Sequence, residues 1–195
     1  MASEITNMLP FRQYSDNDVV NMFALEDAST SIGAGTVVKV KNTTDGLNAD
    51  FAHGQAGDNY LNVQGNAYSP EIVNPLKVEK AGDGDIALGI TLRDVRETDE
   101  NGEKLRFYPQ KKDELQCVVS GETIPVATKG IFTLMASAFS GSVVPAPLAE
   151  LKVSAGGTLA INGNGSVVGT ILATGKREGS ADTHAGGYAI AKLNF

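Results

Sequence analysis

Thr36-Val37-Val38-Lys39-Val40-Lys41 places four β-branched residues among six positions and ends in cations. Branching at Cβ stiffens the side chain, which favours an extended, pleated backbone over a helix. The same texture runs outward in both directions. Val, Ile and Thr supply 41 of the 195 residues, in short runs separated by Gly, Asn, Asp and Pro. The local period is two, not 3.6, which predicts strands. They fall at 19–25, 36–41, 60–64, 72–79, 86–95, 104–108, 115–120, 123–128, 130–135, 151–154, 158–161, 166–173 and 187–194. Leu105-Arg106-Phe107-Tyr108 runs into Pro109, which suits a strand end. Asn101-Gly102 between strand-like residues predicts a hairpin with a type I′ turn. Residues 19–25 read equally well as a strand or as two helical turns capped by Asp16 or Asp18. Leu134 to Phe139 suits one more turn. The expected fold is mainly β, a β-barrel or β-sandwich with little helix.

Three regions stand out along the chain. Residues 1–17 show neither period, yet carry Ile5, Met8, Leu9, Phe11 and Tyr14 among polar residues. A frayed terminus is one reading; the preferred one is an extended N-terminal arm whose five apolar side chains are partner-binding anchors. Residues 18–140 form the main β domain, and 141–195 a C-terminal β unit completing the same fold. Within the former, 91–116 is a charged hairpin: 13 of its 26 residues are Asp, Glu, Lys or Arg. Interleaved signs suit a solvated hairpin with cross-strand pairs, or an exposed lobe that sets register against a partner.

A repeat is also visible. Leu76-Lys77-Val78-Glu79-Lys80-Ala81-Gly82 parallels Leu151-Lys152-Val153-Ser154-Ala155-Gly156-Gly157, and Leu88-Gly89-Ile90-Thr91-Leu92 parallels Val168-Gly169-Thr170-Ile171-Leu172. This order suits two related β units.

Composition and motifs narrow the chemistry. The net charge is −7, unfavourable for a general nucleic-acid surface, which needs surplus cations. One cysteine, Cys117, leaves no internal disulfide framework or multi-cysteine zinc site. Met1 to Pro10 lacks a secretory pattern, and no run approaches a membrane span, so a soluble product made in a cytoplasm is expected. Gly169 to Gly175 has five residues between glycines where a phosphate loop has four, and Arg177 stands where a magnesium-binding hydroxyl is needed. Gly163-Asn164-Gly165 misses the dinucleotide fingerprint by one position. His53 and His184 lie in Gly-rich loops without a catalytic signature. Cys117, flanked by Leu and Val, reads as a buried hydrophobe. Asp83-Gly84-Asp85 and Asp45 to Asp50 can present oxygens to a hard cation, but read first as turns. No catalytic, cofactor or metal residues are assigned.

The order of segments carries a resemblance. Leu9-Pro10-Phe11-Arg12-Gln13-Tyr14-Ser15 leads into Asp18 to Leu25, then a Gly-Thr-Val-Val-Lys strand at 35–39. Gly89-Ile90-Thr91-Leu92 precedes the charged segment and Pro109-Gln110-Lys111-Lys112. Ser120-Gly121, Pro125 to Gly130 and Val167-Val168-Gly169 follow. Spread over most of the chain, this resembles the capsid decoration (cement) proteins and related head structural proteins of tailed bacteriophages. The resemblance implies a non-enzymatic β-barrel or β-sandwich on the outer capsid surface of the virion, clamping major capsid protein subunits. It also implies homo-oligomers, trimers among them, and no cofactor, nucleic-acid or membrane partner. A glycan-binding or adhesin-like module of a head fibre is the alternative, weakened by the absence of Trp. A hydrolase with a diffuse site ranks third.

Overall fold

The computed structural model describes residues 7–21, 23–25, 32–40, 76–119, 122–177 and 186–195. Within the β-branched run, Val37–Val40 is strand β4 of a six-stranded sheet. Its sheet, the second, also holds β2 (Val19–Val20), β3 (Phe23–Leu25), β5 (Leu76–Lys80), β6 (Gly89–Thr91) and β9 (Val126–Ala127), in the order β2-β9-β6-β4-β5-β3. All pairs are antiparallel except β3 with β5. The first sheet has the order β1-β10-β14-β13-β11-β12 and is antiparallel throughout. Its strands are β1 (Met8–Gln13), β10 (Lys129–Met135), β11 (Glu150–Ser154), β12 (Thr158–Ala160), β13 (Val167–Arg177) and β14 (Gly186–Asn194). The sheets do not close into a barrel; they form a β-sandwich-like arrangement.

Alternation along the strands builds the core between the sheets. Leu151 and Val153 of β11, Phe132 and Leu134 of β10, and Ala189, Ala191 and Leu193 of β14 point inward. Val37, Ile90 and Ala127 meet them from the second sheet. Val37 and Val38 are both fully buried, although adjacent strand residues face opposite sides. Val38 belongs to another cluster, with Val78 and Val126 from its own sheet and Ile32, Val95, Val118 and Ile124 from outside it. The second sheet is thus covered on both faces, which is why β4 reads as an unbroken Val-Val pair. Each such valine contributes about 1.5–3 kcal/mol on burial.

The outer cover comes from the charged segment, which is not the long hairpin expected. Strand β7 (Asp94–Val95) pairs in parallel with β8 (Cys117–Val118). Between them Thr98 and Lys104 face each other across a tight reversal. A 3-10 turn, Leu105–Phe107, and helix α1 (Pro109–Glu114) then replace the strand expected at 104–108. Pro109 explains the change. A proline is pre-organised for a helix's first position, and the following Gln-Lys-Lys-Asp-Glu has no β-branched residue to oppose it. The reversal itself is not type I′, because Asn101 lies outside the left-handed region and only Gly102 has positive φ, at 83°. Leu134 to Phe139 does carry a turn, at Ala136–Ala138. The strand expected at 60–64 lies outside the described residues.

Over the part described, the N-terminal segment pairs with its own chain. Met8–Gln13 is an edge strand on β10, with Met8 opposite Leu134 and Arg12 opposite Phe132. Four steps along β1 match two along β10, so Leu9-Pro10-Phe11 bulges away from regular pairing. A proline can do this only at an edge or bulge, because it has no N–H for the ladder.

The repeated segments sit in different sheets. β11 and β13 are neighbours, whereas β4 lies between β5 and β6. Their inner glycines share one need: at Gly89 and Gly169 a Cβ would run into the carbonyl oxygens of Ala127 and Lys192 respectively. The two Gly turns meet. Gly157 N donates to Ala81 O at 2.8 Å, and Asp83 accepts from Asn164 N at 3.0 Å and Nδ2 at 2.7 Å.

Candidate functional site

Two strands pass side by side from one sheet to the other. β1 continues through Tyr14 and a 3-10 turn at Asp16–Asp18 into β2. Alongside, β9 continues through Thr128 into β10. Thr128 joins the two crossings: its N–H and Oγ1 both donate to Asp18 O, at 2.8 and 3.0 Å, and Phe195 N donates to Thr128 O. Ser15 caps the turn by accepting from Asn17 N. Strands that switch sheets in this way make the corners of a sandwich.

The proposed anchors divide at this corner. Met8 and Leu9 are buried within their own chain, which removes them from the exposed surface. Phe11, on the bulge, is 64% exposed. Tyr14 is half-buried and stacks on Phe132, with ring centroids 6.1 Å apart and planes inclined by 19°. Ile5 lies outside the described residues.

A cavity opens on each side of Tyr14. One, about 360 Å³, is lined by Arg12, Asp16, Asn21, Arg93 and Gln116 among others. The other, about 390 Å³, is bounded by Gln13, Ser15, Asp18, Lys129 and Lys192. Arg12 spans the sandwich edge, donating from Nη1 to Leu92 O at 3.0 Å. Gln116 follows the C-terminus of α1 with φ at 51°, the left-handed position usually given to glycine. No local motif marks this convergence, since the cations come from positions 12, 93, 129 and 192.

The second feature is the charged lobe. Leu105 is fully buried with Cys117 and Val119, so its turn is fixed from below. Phe107 and Tyr108 then stand 71% and 48% exposed, beside the exposed Arg106. Several of the lobe's charges are paired locally. Asp99 accepts from Asn101 N and Glu103 N at 2.9 and 2.8 Å and pairs with Lys111, which also reaches Glu103 at 3.1 Å. That ammonium, with the two backbone donors, holds the Asp99 carboxyl below its ordinary range, and Asp99 in turn raises Lys111. Lys112 pairs with Glu122, and Arg96 with Asp94.

The remaining chemical candidates have structural surroundings. Burial pushes the Cys117 thiol up, away from the nucleophilic thiolate. Asp83 is engaged by Asn164, and Asp85 by Lys39 at 2.9 Å and by Gly82 N. The Lys39 hydrogen bond, ahead of the Gly82 N–H, lowers the Asp85 pKa. Among the described residues no three His, Cys, Asp or Glu side chains gather as a metal site. His53, His184 and Asp45 to Asp50 lie outside those residues. No helix among them is long and apolar enough to cross a membrane.

No protein-family model, curated protein or solved structure matches the chain.

Proposed function

We propose that this chain is a non-enzymatic structural protein of a phage virion, binding the outer capsid surface and stabilising contacts between major capsid protein subunits. The observation that carries the reading is the aromatic tip of the lobe. Leu105 anchors the turn in a private core, while Phe107 and Tyr108 are held out to solvent next to Arg106. Exposed, rigidly mounted aromatics beside arginine are the side-chain types that dominate protein–protein hot spots. A two-sheet body with a covered outer face supplies a stiff mount, and a rigid module bridging two subunits adds interface against the outward load of packaged DNA. The sequence resemblance to decoration proteins points the same way. The reading includes self-association into oligomers around a capsid symmetry axis.

Co-sedimentation with expanded capsids, together with copy counting by mass spectrometry of purified virions, tests this. Saturable binding, and a virion copy number on the scale of the major capsid protein, are expected. Phe107→Ala/Tyr108→Ala should weaken binding while circular dichroism stays unchanged. Absence from virions and failure to bind capsids would sink the reading. The alternative class, a glycan-binding module, gains support from a different place, the corner around Tyr14.

A further inference from the structure

We infer that the corner around Tyr14 binds a carboxylated saccharide, one sugar ring in each of its two cavities. The site is independent of the capsid surface contacts proposed for the lobe.

Charge is the first argument. The chain carries a net −7, yet Arg12 and Arg93 line one cavity and Lys129 and Lys192 the other, each pair outnumbering the single aspartate present, Asp16 or Asp18. Lys39, Arg96, Lys111 and Lys112 are each paired with a carboxylate. At the corner, Arg93, Lys129 and Lys192 are exposed and have no ion-pair partner among the described residues. Arg12 is held by Leu92 O through Nη1, so its remaining N–H groups come pre-oriented. Pre-organised guanidinium and ammonium donors recognise a carboxylate with charge-assisted hydrogen bonds.

The rest of the lining selects a hydroxylated ligand over an acidic peptide. Asp16 and Asp18 accept hydrogen bonds from sugar hydroxyls, donors that an ionised acidic side chain does not have. Asn21, Gln116, Gln13 and Ser15 add neutral groups that both donate and accept. Gln116 keeps a left-handed backbone where glycine would be unstrained, and it lines the cavity. Tyr14 lies between the cavities with its ring fixed on Phe132, a hydroxyl-bearing platform for the linkage between rings. Cavities of about 360 and 390 Å³ fall in the ordinary range for small-ligand sites.

Calorimetric titration of the full chain with trigalacturonate and with its fully methyl-esterified form tests the assignment, with amide chemical shifts locating the site. The free acid should bind, and esterification should weaken it about tenfold or more, since a charge-assisted hydrogen bond is lost. Arg93→Ala and Lys192→Ala should each weaken binding about tenfold. Both side chains are exposed, so the melting temperature should not move. Shifts should centre on residues 12–21, 93, 116, 129–131 and 192. No binding, equal binding of the ester, or shifts elsewhere would overturn the inference. So would triglutamate binding as tightly as the saccharide, which marks a peptide site. Full displacement by equimolar inorganic phosphate would mark an adventitious ion only, and would also overturn it.

Discussion

Phe132, Leu134, Leu151, Leu159 and Leu193 share one core between the two sheets, drawn from positions more than sixty residues apart. The lobe from Asp94 to Val119 sends Val95 and Val118 to the outer face of the second sheet, and its own core is only Leu105, Cys117 and Val119 over a partly buried Leu115. It makes up the difference with a carboxylate, Asp99, that satisfies two backbone N–H groups and an ammonium at once. One region is held mainly by apolar area and the other by a local polar network. The second weakens with acid and with charge screening, to which apolar burial does not respond. A region so mounted can display Phe107 and Tyr108 without drawing them into a core.

The largest effect should come from the sandwich. Phe132→Ala removes a fully buried ring and should cost about 3–5 kcal/mol in denaturant unfolding, with the whole chain melting earlier. A loss below about 1 kcal/mol would show that the interlayer core is not the main source of stability. Leu105→Ala should cost about 2–5 kcal/mol locally. Hydrogen exchange should report it as lost protection across residues 99–119, with β10 and β14 still protected. Simultaneous loss in both would erase the distinction between the regions.

Gly102→Ala should cost about 1–2 kcal/mol, because alanine at φ 83° suffers the left-handed clash while nothing crowds the new methyl. The readout is the same exchange window, and no change would mean the reversal is not strained by a side chain. The smallest effect concerns acid. The Asp99 pKa is depressed by Lys111 below the ordinary 3.8, so its contribution is complete above that value. It is lost as pH falls through the folded value. The lobe should therefore lose exchange protection before the sandwich does on acidification, and Asp99→Asn should remove that difference. Simultaneous loss in the native chain would refute the polar account.

Much of the strand content was legible. Runs such as 37–40, 130–135, 151–154 and 187–194 are strands because branched and alternating side chains favour the pleat wherever they are placed. Two misreadings have specific causes. Met8–Gln13 looked non-periodic because its bulge breaks the alternation and Pro10 reads as a strand breaker, which an edge tolerates. Leu105–Tyr108 looked like a strand because four large residues precede a proline, yet Leu105 alone is needed inward and the rest turn around it. The corner could not be read at all. Arg12, Arg93, Lys129 and Lys192 show no spacing pattern, since the tertiary crossing of β1 and β9 brings their segments together.

From the sequence alone came the extended backbone, the punctuation by Gly, Asn and Pro, and the acidic surface, all properties of residues and their near neighbours. Tertiary structure decided which face of each strand is covered. Val37 and Val38 have the same side chain and the same propensity, yet one closes the sandwich and the other holds the lobe's underside. Local sterics select a conformation, but burial depends on what arrives from distant parts of the chain.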